Sequence, residues 1–232
     1  MSEQPTSPAE RDASAAPVAE GPVLPTASER ASADKIFGDR YDLAERFVQH
    51  LATSGMERGL LGPREVPRLW GRHVLNCAVI GEYIPQGKTV ADVGSGAGLP
   101  GLALAVARPD LPLTLIEPLE RRCLWLNEVI EDLELDNAVV MRGRAEQVVD
   151  LVDVDVVTAR AVSALTNLIP WSIPLLHGHG EMLAIKGRSA QEEIDKARKV
   201  LKKAGGSSPE ILIAGADVLE EPTTLVRIKV GS

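Results

Sequence analysis

The segment Thr89-Val-Ala-Asp92-Val-Gly94-Ser-Gly96-Ala-Gly98-Leu99-Pro-Gly101 constrains this chain more than any other. An apolar strand runs into a loop of alternating glycines, and the loop leads into the apolar run Gly101–Arg108. Glycines at such a turn let the backbone approach a ligand closely, where a side chain would fill the space. Six further strands are expected, at Leu113–Glu117, Ala138–Arg142, Val154–Thr158, Glu181–Ile185, Glu210–Ala214 and Thr224–Val230. Helical patterns at Arg121–Leu133, Leu165–Leu175 and Gln191–Ala204 separate the earlier ones. The last helix opens with Glu192 and Glu193 and closes with Lys199, Lys202, Lys203 and Gly205, matching the helix dipole and the glycine stop. Alternating strands and helices predict a mostly parallel, seven-stranded sheet with right-handed crossovers. The short link Gly215–Pro222 predicts an antiparallel hairpin at the edge. In such an α/β sheet, ligands bind at the carboxyl ends of the strands, near the point where the strand order reverses.

Ahead of this domain, Ile36, Leu43, Phe47, Val48 and Leu51 recur at helical spacing, and Pro67 is placed to open a second helix reaching Tyr83. Residues 35–86 therefore read as an N-terminal helical extension of a single domain spanning 35–232. Residues 1–34 hold eight Ala, five Pro, five Ser and four Glu without apolar periodicity, and are expected to be a disordered tail. That tail carries six acids against two arginines, so −4 of the net −8 belongs to it. The remaining −4 leaves room for a local basic face, although an acidic chain makes a poor generic nucleic-acid coat. Seven aromatic rings are too few for base stacking on an aromatic sheet. No apolar run approaches membrane-spanning length, and the start lacks a signal sequence's basic and apolar regions. Two cysteines make no disulfide framework and no metal-ligand spacing, so a protein of the reducing cytoplasm is expected; separately, it is expected to be a monomer.

Two ligands compete for the glycine loop. Gly96-Ala-Gly98-Leu-Pro-Gly101 fits the dinucleotide pattern GxGxxG, which supports a nicotinamide-dependent oxidoreductase. Asp92, two residues before the first glycine, shifts the balance. A carboxylate there opposes a pyrophosphate and suits the ammonium of a cationic, amino-acid-bearing cofactor, unless it merely caps the turn. Glu117 ends the next strand, where an acid accepts from ribose hydroxyls in either ligand family or stays solvated. The pattern Asp92-x-Gly94-x-Gly96-x-Gly98 resembles the first motif of class I S-adenosylmethionine-dependent methyltransferases. That resemblance implies that Glu146, after Arg144 and Ala145, faces adenine, accepting from its amine while a backbone N–H meets a ring nitrogen; otherwise Glu146 is simply a first-turn helix acid. The loop after the fourth strand, Thr158-Ala-Arg160-Ala-Val, lacks the Asn/Asp-Pro-Pro-aromatic motif of exocyclic-amine methylation. Cys77 and Cys123 are remote from it in sequence, which disfavours covalent attack on a pyrimidine.

Five separated motifs then agree: Arg72-His-Val-Leu-Asn76, Asp92–Gly101, Gly143-Arg-Ala-Glu146, Ala159-Arg160-Ala and Ala184-Ile-Lys186-Gly187. Over residues 36–230 the chain resembles the ribosomal RNA small-subunit methyltransferase G family (RsmG, or GidB), especially its actinobacterial members. Asn76 departs from the aspartate of many members. The resemblance implies a class I, Rossmann-like fold and transfer of a methyl group from S-adenosyl-L-methionine to N7 of a guanine in 16S rRNA of the small ribosomal subunit. It also implies cofactor contacts at Gly94, Leu99, Ala145, Glu146 and Arg160, beside the loop residues Asp92, Gly96 and Gly98 and the acid Glu117. Arg160 is the candidate catalytic residue, at a position to touch the target base, or else a strand-end arginine paired with an acid. Candidate RNA contacts are Arg64, Arg68, Arg72, Arg121, Arg122, Lys186 and Arg188. His73 reads as a core histidine, and no metal is expected. A non-catalytic S-adenosylmethionine-binding sensor is the remaining alternative.

Overall fold

A computed structural model describes residues 21–231. Seven strands form one sheet: β1 (Val90–Val93), β2 (Leu113–Glu117), β3 (Ala138–Arg142), β4 (Val156–Arg160), β5 (Gly180–Lys186), β6 (Glu210–Ala214) and β7 (Thr223–Val230). Their order is β3-β2-β1-β4-β5-β7-β6. β1 pairs in parallel with β2 and β4, so the chain leaves β1 in one direction and returns to its other side at β4. That reversal opens a crevice above the carboxyl ends of β1 and β4, directly over the glycine loop. The expected hairpin closes the far edge, with β7 inserted antiparallel between β5 and β6. All four residues of β1 are buried, as a central strand covered on both faces requires.

Helices α1 (Ala27–Phe37), α2 (Tyr41–His50), α3 (residues 69–83, continuous but with π- and 3-10-type turns) and α4 (Gly101–Ala107) cover one face. α5 (Glu120–Asp132) joins them in the same apolar core, whose largest members include Trp70, Trp125 and Phe47. α6 (Leu165–Ser172) and α7 (Ala190–Ala204) build a second core on the opposite face. α7 ends at Gly205 in the left-handed conformation.

Two expectations need correction. The tail expected over 1–34 does not reach residue 34; residues 1–20 lie outside the described residues. Thr26 and Glu29 form a capping box that starts α1, in which Ser32 and Ala33 are buried. Val23 accepts a hydrogen bond from Trp70 Nε1 at 2.9 Å, and Ser32 Oγ donates to the Val218 carbonyl. Tyr41 stacks on Trp70 at 5.5 Å, and the Arg30 guanidinium lies over the Tyr41 ring at 3.6 Å. Packing onto Trp70 and Tyr41 orders a segment whose own composition is too polar and too alanine-rich to announce itself. The single long helix expected over 36–53 also breaks at Gly38, whose φ of +52° ends α1.

Candidate active site

The glycine loop is held from below. Asp92 is fully buried at the end of β1, and its Oδ2 accepts the Gly101 N–H at 3.0 Å, tying the strand end to the start of α4. A Cβ on Gly101 would lie 2.1 Å from Leu115 Cδ2 and 2.7 Å from Asp92 Oδ2, so this approach exists only with glycine. Burial pushes the Asp92 carboxyl up to about 7, and the other oxygen, Oδ1, has no hydrogen-bond partner. Asp92 does not line the cleft, and neither does Gly98. Of the expected contact between Asp92 and a cofactor ammonium, direct or through water, the direct form is not available, because this carboxylate lies beneath the loop and shapes it.

Glu117 holds the loop from the side. It is 1% exposed, its Oε2 accepts the Gly96 N–H at 3.0 Å, and its Oε1 accepts the Leu119 N–H at 2.9 Å. Each oxygen keeps a lone pair, so the carboxylate can still accept from a diol. Arg122 Nη1 stands 3.7 Å from Glu117 Oε2. Arg122 lines the cleft while its side chain stays 33% exposed, so it borders both the pocket and the surface.

Gly94, Gly96, Leu99, Glu117, Ala145, Glu146 and Arg160 come together around one cleft of about 750 Å³. Leu60, Leu61, Val162 and Trp171 add apolar walls that no sequence signal marked. Val162 overhangs the loop so closely that a Cβ on Gly94 (φ +72°) would meet its Cγ2 at 2.9 Å. The fit to a nucleoside with an amino-acid arm rests on this cradle: room that only glycine leaves, a diol acceptor at the next strand end, and an apolar wall beyond.

Across the cleft, Arg160 projects from the end of β4. Nη1 donates to Cys77 Sγ at 3.0 Å and to the His73 carbonyl at 3.4 Å. Nη2 donates to the Arg72 carbonyl at 3.3 Å and to His73 Nδ1 at 2.7 Å. No carboxylate pairs with it among the described residues, so the alternative of a neutralised strand-end arginine is set aside. His73 Nε2 meets Glu65 Oε2 at 2.7 Å. Burial first, and then the Arg160 charge, push the His73 imidazole below its ordinary value, against the pull of Glu65. Burial pushes the Cys77 thiol up, which keeps it unreactive.

The remaining basic candidates divide. Arg64, Arg68, Arg72, Arg121 and Arg188 are exposed and make no ion pair among the described residues. Lys186 is a correction, since its side chain is only 9% exposed. Its Nζ donates to the Ser163 carbonyl at 2.7 Å and pairs with Glu193 at 2.9 Å, while Glu193 also accepts the Leu165 N–H. Lys186 ties the loop after β4 to α7, with two of its three ammonium protons and its charge engaged there. Asn76 donates to the carbonyls of Gly71 and Glu221, a bond the aspartate of other members cannot make in ionised form. His177 Nε2 bonds the Val149 and Val152 carbonyls, and no metal-ligand cluster exists among the described residues.

The strand order β3-β2-β1-β4-β5-β7-β6, with β7 antiparallel between β5 and β6, is a class I S-adenosylmethionine-dependent methyltransferase fold. Structural comparison agrees. A precorrin-6y C5,15-methyltransferase from Geobacter metallireducens superposes with a TM-score of 0.50 at 15% identity, covering 66% of this chain and 85% of that one. A candidate S-adenosyl-L-methionine-dependent methyltransferase from Methanococcus maripaludis gives 0.55, again at 15% identity, over 82% and 92%. The GidB model, described as rRNA small subunit methyltransferase G, matches residues 40–217. The ribosomal RNA small subunit methyltransferase G of Pseudarthrobacter chlorophenolicus is 69% identical over 88% of this chain and 95% of its own. That of Rhodococcus jostii is 54% identical over 86% and 88%. The chain belongs to the rRNA small subunit methyltransferase G family. Family membership does not favour the nicotinamide-dependent oxidoreductase or the non-catalytic sensor. No helix among the described residues is long and apolar enough to cross a membrane.

Proposed function

We propose that this protein methylates N7 of a guanine in 16S rRNA of the small ribosomal subunit, using S-adenosyl-L-methionine. The observation that carries the choice of acceptor atom is that the base and the thiol beside Arg160 are already engaged, while Glu117 and Glu146 fall to the cofactor in this reading. His73 has both ring nitrogens occupied, by Arg160 and Glu65. Both oxygens of Glu117 hold loop N–H groups, and Cys77 lies buried beneath Arg160 with a raised thiol pKa. Guanine N7 needs none of them, because it carries an in-plane lone pair and no proton. Its attack on a methyl group requires alignment and exclusion of water.

Gly94, Gly96 and Leu99 would cradle the amino-acid arm, Glu117 the ribose, and Ala145 with Glu146 the adenine. The bound cofactor supplies an electrophilic methyl group on a sulfonium. Arg160 faces the base with a fixed plane and a full positive charge. Its Nη donors are taken, so the free Nε–H and the guanidinium face are what it offers, in place of a two-pronged fork. Arg64, Arg68, Arg72, Arg121 and Arg188 provide the cations for rRNA phosphates.

The test is to incubate small subunits with the protein and radiolabelled cofactor, then treat the 16S rRNA with borohydride and aniline. N7-methylguanine is cationic and labile under that treatment, so scission at a single guanine is expected. Incorporation without an aniline-sensitive site would place the methyl group on another atom.

A further inference from the structure

Among the described residues, no carboxylate touches Arg160. Two backbone carbonyls, a thiol sulfur and an imidazole nitrogen accept its four Nη contacts. Neutral acceptors fix the plane of a guanidinium and leave its charge undiminished, which a direct ion pair would not. The imidazole carries a further constraint. Arginine stays protonated in proteins, so its Nη2 must donate and His73 Nδ1 must accept. The ring proton therefore sits on Nε2, where Glu65 Oε2 takes it at 2.7 Å. Glu65 comes from the turn Pro63–Arg68, His73 from α3 and Arg160 from β4, so three separate segments meet in one line.

We propose that His73 and Glu65 are positioning residues for Arg160: Glu65 selects the Nε2–H tautomer of His73, whose bare Nδ1 then orients the guanidinium toward the cleft. The inference rests on the proposed role of Arg160 beside the acceptor base. It assigns His73 a function where an apolar helix face suggested only a satisfied core residue.

The charged and titratable groups facing His73 are Glu65 from the preceding turn, Arg72 on its own helix and Arg160 from β4. Cys77, one turn further along α3, meets the same guanidinium, and Arg68 adds its charge near Glu65. Burial and the two arginines hold His73 neutral, outweighing Glu65. Protonation would place an N–H on Nδ1, directly opposite an Arg160 N–H. Methyl transfer should therefore fall as pH drops through the lowered His73 pKa.

The test uses the full chain, purified small subunits and single-turnover methyl transfer, with cofactor affinity measured separately by calorimetry. His73→Phe should slow the transfer about 100-fold, the scale of a misplaced catalytic group, while cofactor affinity changes less than about threefold. In His73→Asn, Oδ1 can stand where Nδ1 stood. That variant should recover to within about tenfold of the wild-type rate and lose the acid limb of the pH profile. Glu65→Leu should give an intermediate loss with the limb displaced.

Equal losses in His73→Phe and His73→Asn, with unchanged melting temperatures, would reduce His73 to packing and overturn the proposal. A readout independent of activity is ¹⁵N NMR of histidine-labelled protein, the His73 signal being identified by its absence in His73→Asn. A bare Nδ1 and a protonated Nε2 are expected, and an Nδ1–H signal would overturn the proposal. If that tautomer is found while the wild-type protein transfers no methyl group, the network stands and the fault lies with the reaction assigned to the cleft.

Discussion

The two walls of the cleft are built in opposite ways. On the β1–β2 side the machinery is mostly backbone, drawn together over short sequence distances: Asp92 reaches nine residues to Gly101, and Glu117 reaches 21 back to Gly96. On the β4 side it is mostly side chains brought from afar: Arg160 meets Cys77 across 83 residues and the Arg72 carbonyl across 88. The first wall depends on the absence of side chains and tolerates no added atoms. The second depends on the hydrogen-bond character of particular atoms and should tolerate changes of volume better than changes of chemistry. Damage to the first should show as lost folding or lost cofactor binding. Damage to the second should show as lost rate.

The largest effect should come from Gly101. An added Cβ overlaps Leu115 and the Asp92 carboxylate in a fully buried place, so Gly101→Val should cost about 3 kcal/mol or more of stability in urea unfolding. Gly94→Val makes a sharper comparison. Its clash is with Val162, which is exposed and can give way, although the positive φ adds strain. That variant should fold and yet lose S-adenosylmethionine binding by calorimetry. Undiminished affinity would mean the cofactor lies elsewhere in the cleft.

On the opposite wall, Arg160→Ala and Arg160→Lys should fail alike. A lysine ammonium has one nitrogen and three protons and cannot span Cys77, His73 and two carbonyls. Both should lower kcat about 100-fold or more while cofactor affinity is largely retained. A lysine variant with near-normal turnover would reduce Arg160 to a charge and remove the contrast between the walls.

The same contrast explains what was legible in the sequence. The loop, Glu117, Glu146 and nearly every strand could be read because strand, turn and helix follow one another within a few residues, each with its own periodicity or glycine signal. His73 could be read as a satisfied core histidine, but its partners Glu65 and Arg160 and the Glu193 partner of Lys186 could not, since these are fixed only when α3 or α7 packs against the sheet. Asp92 was legible as an acid at the right place, but not as a buried one. Its direction depends on the volume of Leu115 and the closeness of Gly101. The start of α1 was in fact signalled by Thr26 and Glu29, a capping pair outweighed by the alanine, proline and serine around it.

Asp92 also gives the first wall a pH signature. Its carboxyl titrates near 3.8 in an unfolded chain and at about 7 in the fold, so the folded state binds the extra proton between those values. Stability from this group is full at low pH and is lost as pH rises through about 7. Asp92→Asn keeps an acceptor for Gly101 and removes the titration. Compared with wild type, its melting temperature should improve as the buffer is moved from pH 5 to pH 8 (values chosen to bracket the transition). A constant difference across that range would show that Asp92 is solvated or paired.

The smallest effects should come from the basic residues outside the walls, where the structure splits a group that looked uniform in the sequence. Arg68 is exposed and unpaired among the described residues, whereas Lys186 is tied to Ser163 and Glu193. A phosphate contact releases counterions on binding, so Arg68→Ala should weaken association with small subunits several-fold and reduce its dependence on log salt by about one unit. Lys186→Ala should leave that slope unchanged, because its charge is already spent on Glu193. Its effect should fall on the loop after β4, which loses its tie to α7, and so on turnover and thermal stability. Binding measured across a salt series separates the two. A reduced slope in Lys186→Ala would mean the Glu193 pair opens when rRNA arrives, making the β4 wall a moving part rather than a fixed one.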